Sequence, residues 1–277
     1  MMEYGDFECI GFSNDGGILT VTLKPPTPLN AVNGVLHREL ASLFATIAAD
    51  GSVDVVLLTG HGGAFSAGAD ITWLRDLGVH ERDEVFRESR RIIIDLLELP
   101  QPIIAAIEGP AVGLGATVAL FCDVKIAATD ARIGDPHVLI GVVAGDGGAV
   151  IWPWLVGAGR AKYYLMIGEL VDAAMAHTLG LVDIVANTGE AVATARALAT
   201  RLAKGNQAAI RGTKWSVNKL LRDATNLVLD TSLALEKETM ASEAHRQALD
   251  RFLAKQTDQH RQARGESVPE LRASRVR

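Results

Sequence analysis

The chain is poor in the residue types that identify several classes of protein. Its only cysteines, Cys9 and Cys122, have a spacing that fits neither a metal site nor a redox pair, so we expect reduced thiols in a cytoplasmic protein. No apolar run is long enough to cross a membrane, and the N-terminal segment lacks the apolar stretch of a signal peptide. These features predict a protein without membrane association.

Positive charge and aromatic residues are also scarce. The formal net charge is −6 at pH 7, which disfavours nucleic-acid binding by bulk electrostatics. Aromatic residues make up 5% of the chain, whereas hydrophobic residues make up 48%. A chain of this length and composition can therefore bury a sizeable aliphatic core, either as one large domain or as a domain with an appendage.

Strand and helix patterns alternate along residues 1–189 and predict an α/β core. A hairpin with a turn at Asn14–Gly17 is followed by an amphipathic helix capped by Asn33, and then by short apolar runs typical of buried parallel strands. Residues 190–256 show helix signals without strands, which predicts a helical region that serves as a lid or as an oligomerisation interface. Residues 257–277 are polar and arginine-rich, and we expect a disordered tail.

Two glycine-rich stretches each resemble a known functional motif, but the surrounding sequence does not favour either motif. "VGLGATV" (112–118) half-matches a dinucleotide fingerprint, but Val118 occupies the place of the third glycine and no acidic ribose partner follows. "AFSAG" (64–68) resembles the nucleophile elbow of a serine hydrolase around Ser66. However, a loop separates it from the preceding strand, which favours a turn hydroxyl.

Taken together, the same two stretches predict an oxyanion hole. Each is a strand, a glycine-rich loop and a helix start, so each can present one backbone N–H at a helix N-terminus. A pair of such donors stabilises the charge that develops on a thioester enolate oxygen. The glycines allow the backbone to approach the acyl carbon closely.

"AFSAGADI", "PIIAAIEGPAVGLGATVALFCDVKIA" and the stretch that begins "GDGGAVIWPWLVG" together resemble the crotonase superfamily, the enoyl-CoA hydratase/isomerase proteins. The likeness extends to about Lys255. It implies an α/β, crotonase-like core of repeated ββα units and a C-terminal helical trimerisation region, with trimers often paired into hexamers. It also implies an acyl-CoA substrate, with coenzyme A as part of the substrate rather than a separate cofactor, and no metal.

The resemblance assigns roles to individual residues. The oxyanion donors are the N–H groups of Ala69 and Leu114. The positions implied for substrate and coenzyme A binding are Ala31, Ala67, Gly68, Asp70, Ile71, Gly113 and Pro136. Thr27 and Pro28 stand where the family often has a lysine or arginine, which weakens the expected contact with the coenzyme A phosphates.

The departures from the family pattern concern the chemistry. Hydratases of the family carry two glutamates that position and activate one water, and this chain has Thr117 and His137 at those sites. "GDPHVLIGVVAGDGGAVIWPWLVG" resembles the matching stretch of oxocamphor hydrolase, a relative that adds water to cleave a carbon–carbon bond in a cyclic β-diketone. There a histidine and an aspartate at this spacing act together. That relative has a second catalytic histidine at the position of Leu114 and does not use coenzyme A.

His137 and Asp146 are therefore predicted to form a base and its orienting carboxylate. A lone histidine in an apolar run is usually structural, but this one stands where the family keeps its acid–base residue. Asp146 accepts from one ring nitrogen while the other removes a proton from water. Thr117 either hydrogen-bonds that water or packs. The other histidines are expected on the surface or in loops: His37, His61, His80, His177, His245 and His260.

The favoured function is an acyl-CoA enzyme that adds water to its substrate or opens it by retro-Claisen cleavage. Two alternatives remain. The first is an ordinary enoyl-CoA hydratase/isomerase that uses other residues. The second is a non-catalytic crotonase-like protein that binds RNA or a partner, which the net charge of −6 disfavours.

Overall fold

A computed structural model describes residues 4–263, with side chains described through residue 255. Within these residues there are nine strands and ten α-helices. The strands are β1 (Ile10–Asp15), β2 (Ile18–Leu23), β3 (Val55–Gly60), β4 (Ile103–Ile107), β5 (Pro110–Val112), β6 (Val124–Ala128), β7 (Arg132–Gly134), β8 (Val171–Asp172) and β9 (Ile184–Ala186). The helices are α1 (Gly34–Ala48), α2 (Ile71–Asp76), α3 (Val79–Glu98), α4 (Leu114–Phe121), α5 (Gly148–Val156), α6 (Ala158–Ile167), α7 (Ala173–Leu179), α8 (Ala191–Ala203), α9 (Gln207–Met240) and α10 (Glu243–Ala263). Short 3₁₀-helices cover Pro28–Asn30 and His137–Ile140.

The core is a six-stranded sheet in the order β1-β2-β3-β4-β6-β9. The predicted hairpin is confirmed, because β1 and β2 pair antiparallel across the turn at Gly16–Gly17. From β2 onward every neighbouring pair in this sheet is parallel. A second sheet, in the order β5-β7-β8, lies beside it and carries two of the loops that form the site described below.

Alternating residues of the central strands face two different helical layers. Val56 and Leu58 of β3 pack into the main core with helices α1, α3 and α4. Val55 and Leu57 point to the opposite face, as the period of two along a strand requires. Asn33 caps α1 as predicted, since its side chain accepts from the N–H of Leu36 at 2.9 Å.

The opposite face of the sheet is covered by α8. Its buried residues Ala191, Ala195 and Ala199 lie four apart on one stripe and pack against the strands. The predicted boundary at residue 189 therefore falls between the sheet and the helix that covers it. Helix α9 continues along α3 and α5, and α10 packs on α2 and on the 3₁₀-helix at His137–Ile140.

Two histidines and part of the C-terminal segment differ from the sequence predictions. His37 and His245 are both only 2% exposed, because each lies on the buried face of a helix and has a hydrogen-bond partner there. The prediction of surface histidines is therefore wrong at these two positions. Helix α10 continues through Ala263, so residues 257–263 are helical where disorder was predicted. Residues 264–277 lie outside the described residues.

The packing of α8 on the sheet gives a direct prediction. We expect Ala195→Leu to lower the free energy of unfolding by about 1–3 kcal/mol, because the extra methyl groups overpack a closed face. Ala193→Leu, at an exposed position of the same helix, is the matched control and should change stability by less than about 0.5 kcal/mol. Urea unfolding of both variants measures the difference. Equal stabilities would show that α8 is not a tightly packed layer of the core.

Candidate active site

Two glycine loops meet at the ends of β3 and β5. The loop at residues 66–69 is tied to β5, because the N–H of Val112 donates to the carbonyl of Ser66 at 2.9 Å. Gly68 has a φ of +83°, and a Cβ there would lie 2.9 Å from the carbonyl oxygen of Val112. Gly113, with a φ of +54°, faces it across the junction. Only glycine fits such a close approach at positive φ.

The junction leaves two backbone amides available. Val32 donates to the carbonyl of Gly68 and accepts from the N–H of Asp70, so the N–H of Ala69 between them points away from Val32. Leu114 is the first residue of α4, where an N–H has no partner within the helix. Neither amide has an acceptor among the described residues. This is the arrangement that the predicted oxyanion hole requires, although the role itself stays a prediction.

Ser66 serves the loop rather than the cavity. Its side chain is fully buried, and its hydroxyl donates to the carbonyl of Asn30 at 2.8 Å. The same oxygen lies 3.3 Å from the N–H of Gly68, which donates to it. These bonds agree with the turn hydroxyl favoured by the sequence over a nucleophile.

His137 begins the 3₁₀-helix that follows β7, and its ring is held by a carboxylate that the sequence analysis missed. Nδ1 hydrogen-bonds to Oδ1 of Asp135, which is 2% exposed. Nε2 lies 3.6 Å from Oδ2 of Asp146, which is too long for a hydrogen bond. The predicted orienting role of Asp146 is therefore corrected: Asp135 orients the imidazole, and Asp146 faces the opposite nitrogen.

A fourth titratable group completes the cluster. Glu236 on α9 is 4% exposed, and its Oε1 lies 3.9 Å from Nε2 of His137. The sequence analysis did not single it out. A signal was present, because Glu236 shares a helical stripe with the buried residues Leu229, Leu233 and Met240. An acidic residue on an otherwise buried stripe is uncommon unless it is paired.

Thr117 lies behind Asp146. Its side chain is fully buried on α4, and its hydroxyl is 3.5 Å from Oδ1 of Asp146. It is not part of the cavity wall that Asp146 lines. The geometry therefore favours contact with the carboxylate over contact with a bound water.

Burial and mutual repulsion shift the pKa values of this cluster strongly. Burial lowers the pKa of His137, but the charges of Asp135, Asp146 and Glu236 outweigh it and hold that pKa well above 6.5. Burial raises the pKa of Asp146, an effect that His137 partly offsets. Burial and the nearby Asp146 raise the pKa of Glu236 well above 4.5. The cluster therefore favours the protonated forms of His137 and Glu236.

The same residues have a spacing compatible with a cation. Asp135, His137 and Asp146 each place one ligand atom within 4.8 Å of the others. Nδ1 of His137 is already hydrogen-bonded to Asp135, so the imidazole could offer only Nε2 to an ion. The expectation that the protein uses no metal stays a prediction.

A cavity of about 920 Å³ joins the amides to the histidine cluster. Asp70 stands at its wall and caps α2 by accepting from the N–H of Trp73 at 2.9 Å. The predicted site residues that line the cavity are Ala31, Ala67, Gly68, Ala69, Asp70, Ile71, Gly113, Leu114, Pro136, His137 and Asp146. Arg251 and Lys255 of α10 also line it. The structure thus brings together all of the predicted site residues except Thr117, which supports Asp146 from behind.

The raised pKa of Glu236 predicts how its replacement changes stability with pH. In the unfolded chain this carboxyl ionises near pH 4.5, whereas in the folded protein it keeps its proton to a much higher pH. The folded state therefore binds more protons, and the contribution of Glu236 to stability falls as pH rises above about 4.5. We expect Glu236→Gln to remove this loss. The stability of the variant relative to the parent should therefore increase from pH 5 to pH 9.

Thermal unfolding across this pH range tests the prediction. Glu238→Gln is the matched control, because Glu238 is an exposed acid two residues further along α9. The control should follow the parent at every pH. A Glu236→Gln variant whose stability relative to the parent does not change with pH would show that Glu236 is ionised throughout.

Comparison with known proteins agrees with this geometry. The enoyl-CoA hydratase/isomerase family model matches residues 13–263. A short-chain-enoyl-CoA hydratase from Clostridium acetobutylicum is 31% identical over 246 residues, which cover 87% of this chain and 93% of the relative.

Two solved structures show the same fold. An enoyl-CoA hydratase/isomerase from Mycobacterium paratuberculosis superposes with a TM-score of 0.86 at 34% identity, over 89% of this chain and 99% of that one. A β-diketone hydrolase from the cyanobacterium Anabaena, bound to (S)-3-oxocyclohexyl acetic acid, superposes with a TM-score of 0.79 at 30% identity, over 86% and 96%. No helix among the described residues is both long and apolar enough to cross a membrane. The predicted crotonase fold is confirmed, and the chain belongs to the enoyl-CoA hydratase/isomerase family.

Proposed function

We propose that this protein is an acyl-CoA enzyme in which His137 activates water for retro-Claisen cleavage of a carbon–carbon bond. One observation carries the proposal. The imidazole is oriented by Asp135, has no hydrogen-bond partner at Nε2 among the described residues, and belongs to the wall of the cavity beside the loop that supplies the Leu114 amide. A Cβ on Gly113 would be 3.6 Å from Cε1 of the ring, so base and amide act on neighbouring atoms of one ligand.

The reaction follows from these positions. The thioester oxygen accepts from the amides of Ala69 and Leu114, and Nε2 of His137 removes a proton from a water molecule. The resulting hydroxide adds to the β-keto carbon, and the bond between that carbon and the α-carbon then breaks. One product is a carboxylic acid that contains the water oxygen. The other is a thioester enolate, whose charge the amides stabilise and whose α-carbon takes the proton back from His137.

The carboxylates around His137 supply the electrostatic conditions for this cycle. Asp135 fixes the tautomer by accepting from Nδ1–H, which leaves the lone pair on Nε2. Asp135 and Asp146 stabilise the imidazolium that forms when water loses its proton. Because they hold the pKa of His137 well above 6.5, we expect activity to rise with pH as the imidazole loses its proton, with a midpoint well above 6.5.

Basic side chains near the cavity support coenzyme A as the carrier. The loop before Asn30 lacks the expected lysine or arginine, and Pro28 lines the cavity there. Arg251 and Lys255 provide positive charge on the wall formed by α10. Relatives whose substrates are CoA esters also support this choice.

Hydration of an enoyl-CoA is a second candidate. The similarity to the Clostridium hydratase favours it, and the same His137 could direct water to a β-carbon. The two reactions give different products, because hydration retains all carbons in one thioester and cleavage releases a carboxylic acid.

We further propose that the chain self-associates. Large apolar side chains are exposed on α6 and α9, among them Met166, Ile167, Trp215, Leu220 and Leu227. Patches of this kind mark interaction surfaces. Whether the assembly is a trimer or a hexamer follows from its molar mass in solution.

The proposed base gives a direct test by substitution. We expect His137→Gln to reduce kcat for 3-oxoacyl-CoA cleavage by about 10²–10⁴-fold, because glutamine fills the space but cannot accept a proton. The assay follows release of the carboxylic acid and the shortened acyl-CoA by mass spectrometry. His80→Gln, at an exposed histidine on α3, is the matched control and should retain full activity.

Folding is checked by the melting temperature of each variant. A folded His137→Gln protein with unchanged kcat would contradict the assignment and leave the cluster as a structural hydrogen-bond network. A parent protein that hydrates crotonyl-CoA but releases no carboxylic acid from any 3-oxoacyl-CoA would support the second candidate instead.

A further inference from the structure

A second polar cluster lies in the wall of the same cavity. Nδ1 of His37 on α1 is 2.6 Å from Oε2 of Glu88 on α3. Nε2 of the same ring is 3.3 Å from the hydroxyl oxygen of Ser89. His37 and Ser89 line the cavity, and they are 2% and 4% exposed. The mechanism described above uses none of these three residues.

The surroundings of this cluster are apolar. Leu74, Val85 and Phe86 line the same cavity, and the ring of Trp73 lies 5.6 Å from that of His37. A buried imidazole and carboxylate lose hydration, and an apolar pair of similar volume is often as stable. Packing alone therefore gives no reason for a polar cluster at this place.

The hydroxyl of Ser89 has hydrogen-bonding capacity to spare. Hydroxyls at Ser216 and Thr225, also on a helix, donate to the carbonyl four residues earlier at 2.8 Å. That of Ser89 instead faces the His37 ring at a distance near the long limit for a hydrogen bond. With Nδ1–H donating to Glu88, Nε2 of His37 is an acceptor, so the hydroxyl of Ser89 is the one donor of this cluster that can turn from the ring to a ligand in the cavity.

The cluster is close enough to the base to act on the same ligand. Burial raises the pKa of Asp146. The nearby His137 lowers that pKa, and His37 lowers it by a smaller amount. His37, Ser89 and Asp146 all line one continuous cavity. A ligand whose reacting carbon lies beside His137 can therefore reach His37 and Ser89 within the same cavity.

We propose that His37 and Ser89 form a binding subsite for a second oxygen atom of the acyl group. This inference rests on the proposed function and specifies its substrate class: an acyl group with a carbonyl or hydroxyl oxygen beyond the thioester. Negative charge develops on a ketone oxygen when water adds to its carbon, and a hydrogen-bond donor placed there stabilises that charge. The amides of Ala69 and Leu114 serve the thioester oxygen, so a β-keto substrate needs a further donor, which the hydroxyl of Ser89 supplies while His37 holds it in place.

Equilibrium binding tests the subsite without turnover. The protein carries His137→Gln so that no ligand is consumed, and the probes are 3-oxooctanoyl-CoA and octanoyl-CoA, which differ in one oxygen. We expect the 3-oxo ligand to bind about tenfold more tightly. Adding Ser89→Ala should remove most of this preference and leave the Kd of octanoyl-CoA within about twofold. Ser42→Ala, which removes a hydroxyl bonded to a backbone carbonyl on α1, is the matched control.

A second pair of probes separates this inference from the acyl-CoA proposal. These are 2,2-dimethylcyclohexane-1,3-dione and 2,2-dimethylcyclohexanone, which carry no coenzyme A. If neither CoA ester binds but dione binding still depends on Ser89, the subsite stands and the acyl-CoA proposal fails. If Ser89→Ala weakens the oxygenated and plain probes of each pair equally, or weakens none, the subsite is wrong even where His137 proves catalytic.

Discussion

Three carboxyl groups and one imidazole share a buried volume in which full ionisation would place three negative charges around one positive charge. Isolated charges in such surroundings cost several kcal/mol, so burial favours the protonated forms of Asp146 and Glu236. Asp135 and His137 form the hydrogen bond on which the others depend. This bond fixes which nitrogen faces Asp146 and Glu236, and these two groups then adjust how strongly that nitrogen holds a proton. Without it, the imidazole could turn and leave the carboxylates unpaired.

The fold brings this cluster to the oxyanion amides through elements distant in sequence. Asp135 and His137 follow β7, whose neighbour β5 leads into Gly113 and the start of α4. Gly113 donates to the carbonyl of Gly134, which fixes the distance between the two segments. Helix α9 adds Glu236, and His245 of α10 hydrogen-bonds through Nδ1 to the carbonyl of Ile140. The 3₁₀-helix that carries His137 is thus held from several sides, as a site that must keep its geometry requires.

Much of the architecture could be predicted from local patterns. The apolar runs of β3 and β4, the cap at Asn33 and the glycine loops are short-range signals, and the structure has them where they were expected. Contacts between segments that are distant in sequence could not be predicted from local patterns. Asp135 lies two residues before His137, but the sequence gives no reason to choose it over Asp146, because only the turn after β7 places it against Nδ1. Glu236 is 99 residues from His137 and meets it through the packing of α9 on α5.

The same limit explains the buried histidines. His37 stands in an amphipathic helix whose partner, α3, is separate in sequence, so the Glu88 that pairs with it was not apparent. His245 likewise depends on the docking of α10 against the 3₁₀-helix. The sequence shows where a histidine stands. Whether that histidine is buried depends on the helices that pack over it, and these can be distant in sequence.

The central claim is that Asp135 holds His137 with its lone pair on Nε2 and that the surrounding carboxylates raise its pKa. Titration of the His137 ring nitrogens by ¹⁵N NMR tests this claim most directly, with the resonance assigned by its loss in His137→Gln. The account predicts a pKa well above 6.5, and, above that pKa, a neutral ring protonated at Nδ1. In Asp135→Asn the pKa should fall, because the largest favourable charge is removed. A pKa at or below 6.5 in the parent, or a neutral ring protonated at Nε2, would contradict the account.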